Sequence, residues 1–133
     1  MRTGFVVAPL TAFTLLLAGC AVAEPAFEQP AEQVCNEYYP VADPILSLVD
    51  LATTASTSME LGAHVNELEE ELPKLASIQG PTRFGDLTSD LFGEIEQFIE
   101  IGRSADAGET TKLDVAHESI LQSAAKISMY CGR

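Results

Sequence analysis

The chain has 133 residues, with seven Lys or Arg against twenty Asp or Glu, a formal net charge of −13 and a pI near 4.3. That length holds one ordinary domain rather than two independent cores, and that charge repels phosphate backbones and anionic headgroups, which sets nucleic acid aside as a partner. Hydrophobic residues at 47% and charged residues at 20% can bury a core and are unlike a disordered acidic tail.

Met1-Arg2 supplies a minimal positive start, and Phe5 to Leu17 is an apolar run broken by Pro9, Thr11 and Thr14. Its length suits the apolar region of a signal peptide and falls short of the roughly 20 residues a membrane-spanning helix needs. The run ends in Leu17-Ala18-Gly19-Cys20. On these residues the chain resembles bacterial lipoprotein precursors, whose lipobox has an aliphatic residue, two small residues and a Cys. The resemblance covers residues 1–20 and implies that the Cys20 thiol receives diacylglycerol and becomes the first residue of the mature protein, residues 1–19 being removed as a signal peptide. Small Ala18 and Gly19 let an extended backbone enter a protease site, and a thiolate is well suited to alkylation.

Two acyl chains on one Cys anchor a protein stably where one chain is marginal, so the expected location is the extracytoplasmic face of the cell membrane. Residues 20–30 then form a tether with an extended reach of about 35 Å, and residues 31–133 form the domain. Loss of Arg2 with the signal peptide takes the net charge from −13 to −14.

With Cys20 taken by lipid, Cys35 and Cys131 remain. An exported domain meets an oxidising compartment, so these two are expected to pair. A disulfide closing a loop of that size contributes roughly 4 to 5 kcal/mol in the chain-entropy model.

The remaining elements read as helices. Val41, Ile45, Leu48, Ala52, Ala55 and Met59 recur at steps of four and three behind an N-cap and first-turn proline at Asp43-Pro44. Pro40 and Pro44 place Ala31 to Tyr39 in a separate turn or kinked extension carrying Cys35. Thr57-Ser58-Met59-Glu60 reads as a capping box opening a second helix, with Leu61, Val65, Leu68, Leu72 and Leu75 as its stripe and Pro73 expected to kink or end it near Leu72. Gln79-Gly80-Pro81 is a turn. Phe84, Leu87, Leu91, Ile95, Phe98 and Gly102, widened by Phe92 and Ile99, give a third helix from about Asp86 to Arg103. After a loop at 104–109, Leu113, Ala116, Ile120, Ala124, Ile127 and Cys131 mark the inner face of a fourth helix ended by Gly132. The expected fold is all-α: an antiparallel up-down-up-down four-helix bundle closed by one disulfide, which brings Cys35 and Cys131 to the same end.

Candidate chemistry is sparse. His64, Glu67 and Glu71 share one helix face at ligand-like spacing, yet metal sites draw ligands from several elements, and neither a metal nor a cofactor is expected. Glu67, Glu69, Glu70 and Glu71 form an acidic face, a candidate docking site for a protein partner. Tyr38, Tyr39 and Tyr130 flank the cysteines and are expected to pack over the disulfide. Gly93 and Gly102 are candidates for close helix approach. The chain carries no GxSxG, HExxH, Walker loop or paired-cysteine metal motif, so the expectation is a non-catalytic binding or accessory lipoprotein, compatible with a subunit of a larger membrane or envelope complex. The alternative is a carrier or sensor of a small apolar ligand held between the helices, suggested by the wide apolar face of the third.

Overall fold

The structure is a computed structural model that describes residues 31–105 and 111–133. Four helices make up the described residues: α1 (Ala31–Thr53), α2 (Ser58–Ala76), α3 (Thr82–Ser104) and α4 (Thr111–Cys131). No strand occurs among them. Each helix packs against its neighbour in sequence, and α1 also packs against α4, closing the ring.

The first helix departs from expectation. It is continuous from Ala31, with Pro40 and Pro44 inside it, so residues 31–39 are not a separate segment and Asp43 is not an N-cap. Pro73 likewise sits within α2, which runs on to Ala76. An internal proline costs a helix roughly 3 kcal/mol because it removes one hydrogen bond and crowds the carbonyl four residues back. All three prolines lie on exposed faces, and the freed carbonyls belong to the exposed residues Asn36, Pro40 and Glu69, where water can satisfy them. The opposite face of α1 buries Val34, Tyr38, Ala42, Ile45, Val49 and Ala52, and burial at roughly 25 cal/mol per Å² of apolar surface outweighs the local penalty.

That face is turned by one residue from the expected stripe. Ala42 and Val49 are buried in place of Val41 and Leu48, which are half-buried, and Met59 is 86% exposed. Extending the helix back to Val34 and Tyr38 re-centres its apolar arc.

The second helix follows its pattern throughout, with Leu61, Val65, Leu68, Leu72 and Leu75 all buried. Its capping box is stretched by one residue. The Thr57 hydroxyl accepts from the Glu60 N–H at 3.1 Å, while the Glu60 carboxylate accepts from the Ser56 N–H at 3.0 Å, one position before the cap. The third helix begins at Thr82, four residues earlier than expected. Pro81 holds the N-cap position at φ −55°, and its carbonyl accepts from Gly85 N–H at 2.9 Å. Gly132, at φ 79°, ends α4, and the Gly132 and Arg133 N–H groups donate to the Met129 and Ser128 carbonyls in a Schellman arrangement.

The disulfide joins Cys35 and Cys131 with Cα atoms 5.8 Å apart. Beside it Tyr38 meets Phe84 edge-on at 5.9 Å between ring centroids, and Phe84 lies 6.0 Å from Tyr130. The turn before α3 comes so close to α1 that a Cβ on Gly80 would lie 2.7 Å from Val34 Cγ2. A Cβ on Gly102 would meet Val65 Cγ2 at the same distance, whereas one on Gly93 would meet nothing within 4 Å. Of the two candidate glycines, only Gly102 serves close helix approach.

These environments fix opposite signs for one substitution. Gly93→Ala should raise stability by about 1 kcal/mol, the helix-propensity difference, lifting Tm by roughly 4–8 °C for a domain of this size. Gly102→Ala should lower stability by about 1–3 kcal/mol through overpacking against the stiff Val65 side chain. Thermal unfolding of the two variants beside the parent checks both signs.

Candidate functional site

Cys20 lies outside the described residues. Of the residues singled out from sequence, Tyr39 and Tyr130 lie beside the disulfide as expected, and Tyr38 packs edge-on against Tyr39 and Phe84. The Cys35, Cys131, Tyr39, Tyr130 and Arg133 side chains line a shallow cleft of about 280 Å³ at this end of the bundle. The Arg133 guanidinium lies over the Tyr39 ring, 4.0 Å from its centroid. Tyr38 is 1% exposed, and neither its hydroxyl nor that of Tyr39 has a hydrogen-bond partner among the described residues. Burial pushes the Tyr38 phenol above the ordinary tyrosine range, and Tyr39 and Asp43 add to the rise.

The acidic residues of α2 divide. Glu69 is ion-paired with Arg103 of α3, and Glu71 with Lys74 at 2.7 Å, whereas Glu67 and Glu70 are exposed. Glu96 and Glu100 of α3 line the α2–α3 groove, a cleft of about 290 Å³, together with the Glu69–Arg103 pair, Leu72 and Ile99. The acidic face therefore spans two helices. Sequence reading missed the α3 half because Glu96 and Glu100 sit on the polar side of an ordinary amphipathic pattern, and only helix packing sets them opposite Glu69.

His64 does not assemble a metal site with Glu67 and Glu71: among the described residues no group of three His, Cys, Asp or Glu side chains is placed to hold an ion. His64 Nδ1 is buried without a partner. His117 Nε2 instead lies 2.6 Å from Asp50 Oδ1, linking α4 to α1 across 67 positions of sequence. Nothing in the sequence pairs these two residues.

The apolar face of α3 is spent on the core. Phe84, Leu91, Ile95 and Phe98 are each 0% exposed and Ile99 6%, while Phe92 is half-buried. A second groove, of about 360 Å³, runs between α3 and α4, with Glu94 on one wall and Lys112 on the other. No described helix is long and apolar enough to cross a membrane.

Comparison with protein-family models, with curated proteins and with solved structures gives no match.

The Tyr38 phenol yields a pH prediction. The folded state keeps this proton at pH values where the unfolded chain, titrating near pH 10, has lost it. Above about pH 10 the unfolded state therefore binds fewer protons, and stability falls as pH rises. Tyr38→Phe should remove that part of the alkaline loss, and at neutral pH it should be neutral or stabilising by about 1 kcal/mol, since it deletes a buried hydroxyl without a partner. Denaturant melts of parent and variant from pH 7 to 11 measure both effects.

Proposed function

We propose that the protein is a small lipoprotein, held by diacylglycerol on Cys20 at the extracytoplasmic face of the cell membrane. There it acts as a non-catalytic binding or accessory protein that offers an acidic face to a protein partner. The observation that carries the location is the Cys35–Cys131 disulfide: a bridge between helices belongs to an oxidising compartment, in agreement with the export signal ending in Leu17-Ala18-Gly19-Cys20. The binding role is supported by three carboxylates, Glu69, Glu96 and Glu100, that line one groove across α2 and α3, where Arg103 pairs with Glu69 alone. Exposed Glu67 and Glu70 extend the same surface. Excess negative charge of this kind steers and orients a basic partner more than it adds raw affinity.

The helices are further inferred to run up-down-up-down. Supporting this, Cys35 and Asp50 on α1 meet Cys131 and His117 on α4 in reverse order, and the turn at Gly80 lies against Val34. In that arrangement α1 begins at the disulfide end, placing this end nearest the bilayer and the connection at 54–57 and the C-terminal end of α3 farthest from it.

Two measurements test the reading. Cys20→Ser should move the protein from the membrane fraction to the soluble or secreted fraction, and intact-mass analysis of the parent should show the diacylglycerol adduct; an unmodified parent chain in the medium would refute the anchor. Glu67→Lys/Glu70→Lys should strip a stoichiometric partner from the mild-detergent extract while leaving the Glu69–Arg103 and Glu71–Lys74 pairs intact. Recovery of the same partner at the same yield would refute the acidic docking face.

A further inference from the structure

The disulfide end of the bundle differs in charge from the rest of the molecule. It gathers the start of α1, the turn between α2 and α3 and the end of α4: Cys35 is bonded to Cys131, Gly80 approaches Val34 and Phe84, and the Phe84 ring meets those of Tyr38 and Tyr130. Lys74, Arg83, Lys126 and Arg133, four of the chain's seven Lys and Arg, fall within the two turns of helix nearest this end or just beyond them. Five carboxylates share those turns, Glu32, Glu37, Glu70, Glu71 and Asp86, so this end is within one charge of neutral. The remaining described residues set eleven carboxylates against Arg103 and Lys112.

Two of the four cations have no internal use. Lys74 pairs with Glu71, and the Arg133 guanidinium lies over Tyr39, whereas Arg83 and Lys126 are exposed and carry no ion pair among the described residues. Met129 follows Lys126 by three positions, on the same side of α4, and is 77% exposed. Tyr39 and Tyr130 are half-buried and line the cleft beside the disulfide.

We propose that in the anchored protein this end seats directly on the phospholipid headgroup layer, with Arg83 and Lys126 on lipid phosphates and Met129 and the Tyr130 ring at the boundary with the acyl chains. The proposal rests on acylation of Cys20, from which the chain enters α1 at Ala31, at this same end. Amphipathic tyrosine rings settle at headgroup level, and Lys and Arg stems lie along apolar surface while their charges reach phosphate. Attraction of a basic residue to an anionic leaflet decays within a Debye length, so only the cations at this end feel it while the acidic sides are held off. The lipid anchor keeps the protein at the surface, and the unequal charge of the two ends has only to orient it. Seated in this way, the bundle stands upright and the acidic α2–α3 groove stays open to a partner.

The test uses the acylated full chain with its disulfide intact, in nanodiscs of phosphatidylcholine and phosphatidylglycerol doped with a nitroxide-headgroup lipid, and reads paramagnetic broadening of the amide signals. Because α3 has 23 residues and is about 35 Å long, the two ends of the bundle are resolved from each other. Broadening should be at least threefold stronger at residues 78–83 and 126–133 than at 54–57 and 98–104. Lys126→Glu should cut it at least twofold at 126–133, and Met129→Glu should do the same. Lys112→Glu, an equal change of charge at the opposite end of α4, should leave it unaltered. Intact mass reports acylation of every sample. An acylated chain whose broadening is even along the helices, or is the same in Lys126→Glu as in the parent, would overturn the seating and leave the anchor standing; a parent chain without diacylglycerol would overturn both.

Discussion

The covalent link between Cys35 and Cys131 is the constraint on which the rest of the domain leans. Short connections hold α1 to α2, α2 to α3 and α3 to α4, but α1 and α4 are neighbours in space with nearly the whole domain between them in sequence. Bringing them together costs chain entropy, and the bridge removes much of that cost from the unfolded state. It also pins the first turns of α1 ahead of two internal prolines, the stretch where hydrogen bonding is weakest. Tyr38, Phe84 and Tyr130 then fill the space beside the bridge, so that covalent closure and aromatic packing secure the same end of the bundle. The Asp50–His117 pair links the same two helices fifteen residues further along α1.

With the interior closed by aliphatic and aromatic side chains, the protein's chemistry lies in its surface grooves. The α2–α3 groove is lined by Glu69, Glu96, Glu100 and Arg103, and the α3–α4 groove by Glu94 and Lys112 with Ile101, Val115 and Ala116. Both are built from α3, whose buried side is continuous and whose flanks carry Glu96 and Glu100 on one edge and Glu94 on the other. The helix that carries two fully buried phenylalanines, Phe84 and Phe98, also lines both grooves, because a rigid, well-packed element can hold exposed charged groups in fixed relation.

Much of this was legible from residue order. The stripe Leu61, Val65, Leu68, Leu72 and Leu75 is buried at every position, α3 buries its expected face with Leu87 and Phe92 half-buried, and α4 buries Leu113, Ile120 and Ile127 but leaves Ala116, Ala124 and Cys131 half-buried and buries Ser123. The errors share a cause. The local penalty of a proline in a helix predicts breaks at Pro40, Pro44 and Pro73, but each faces water while the opposite side of its helix is buried. Taking helix one to begin at Pro44 then displaced its inner face by one residue, from Ala42 and Val49 to Val41 and Leu48. The α2 glutamates were read as one patch, yet Arg103 and Lys74 claim two of them.

Sequence alone determined the all-α class, the start of α2 behind its Thr57 cap, the inner faces of α2 and α3 and the pairing of the two domain cysteines. These follow from a 3.6-residue period, a side-chain cap and cysteine count, all of which are local or combinatorial. Tertiary structure alone decided that α1 runs unbroken through its prolines, that Asp50 meets His117, that Glu69 pairs with Arg103 while Glu67 and Glu70 carry no ion pair, and that one Glu94 oxygen, Oε2, is shut off from water without a partner. Each of these depends on the rotation and register of one helix against another tens of residues away, and a shift of one residue in either turns a side chain by about 100° and changes what it meets.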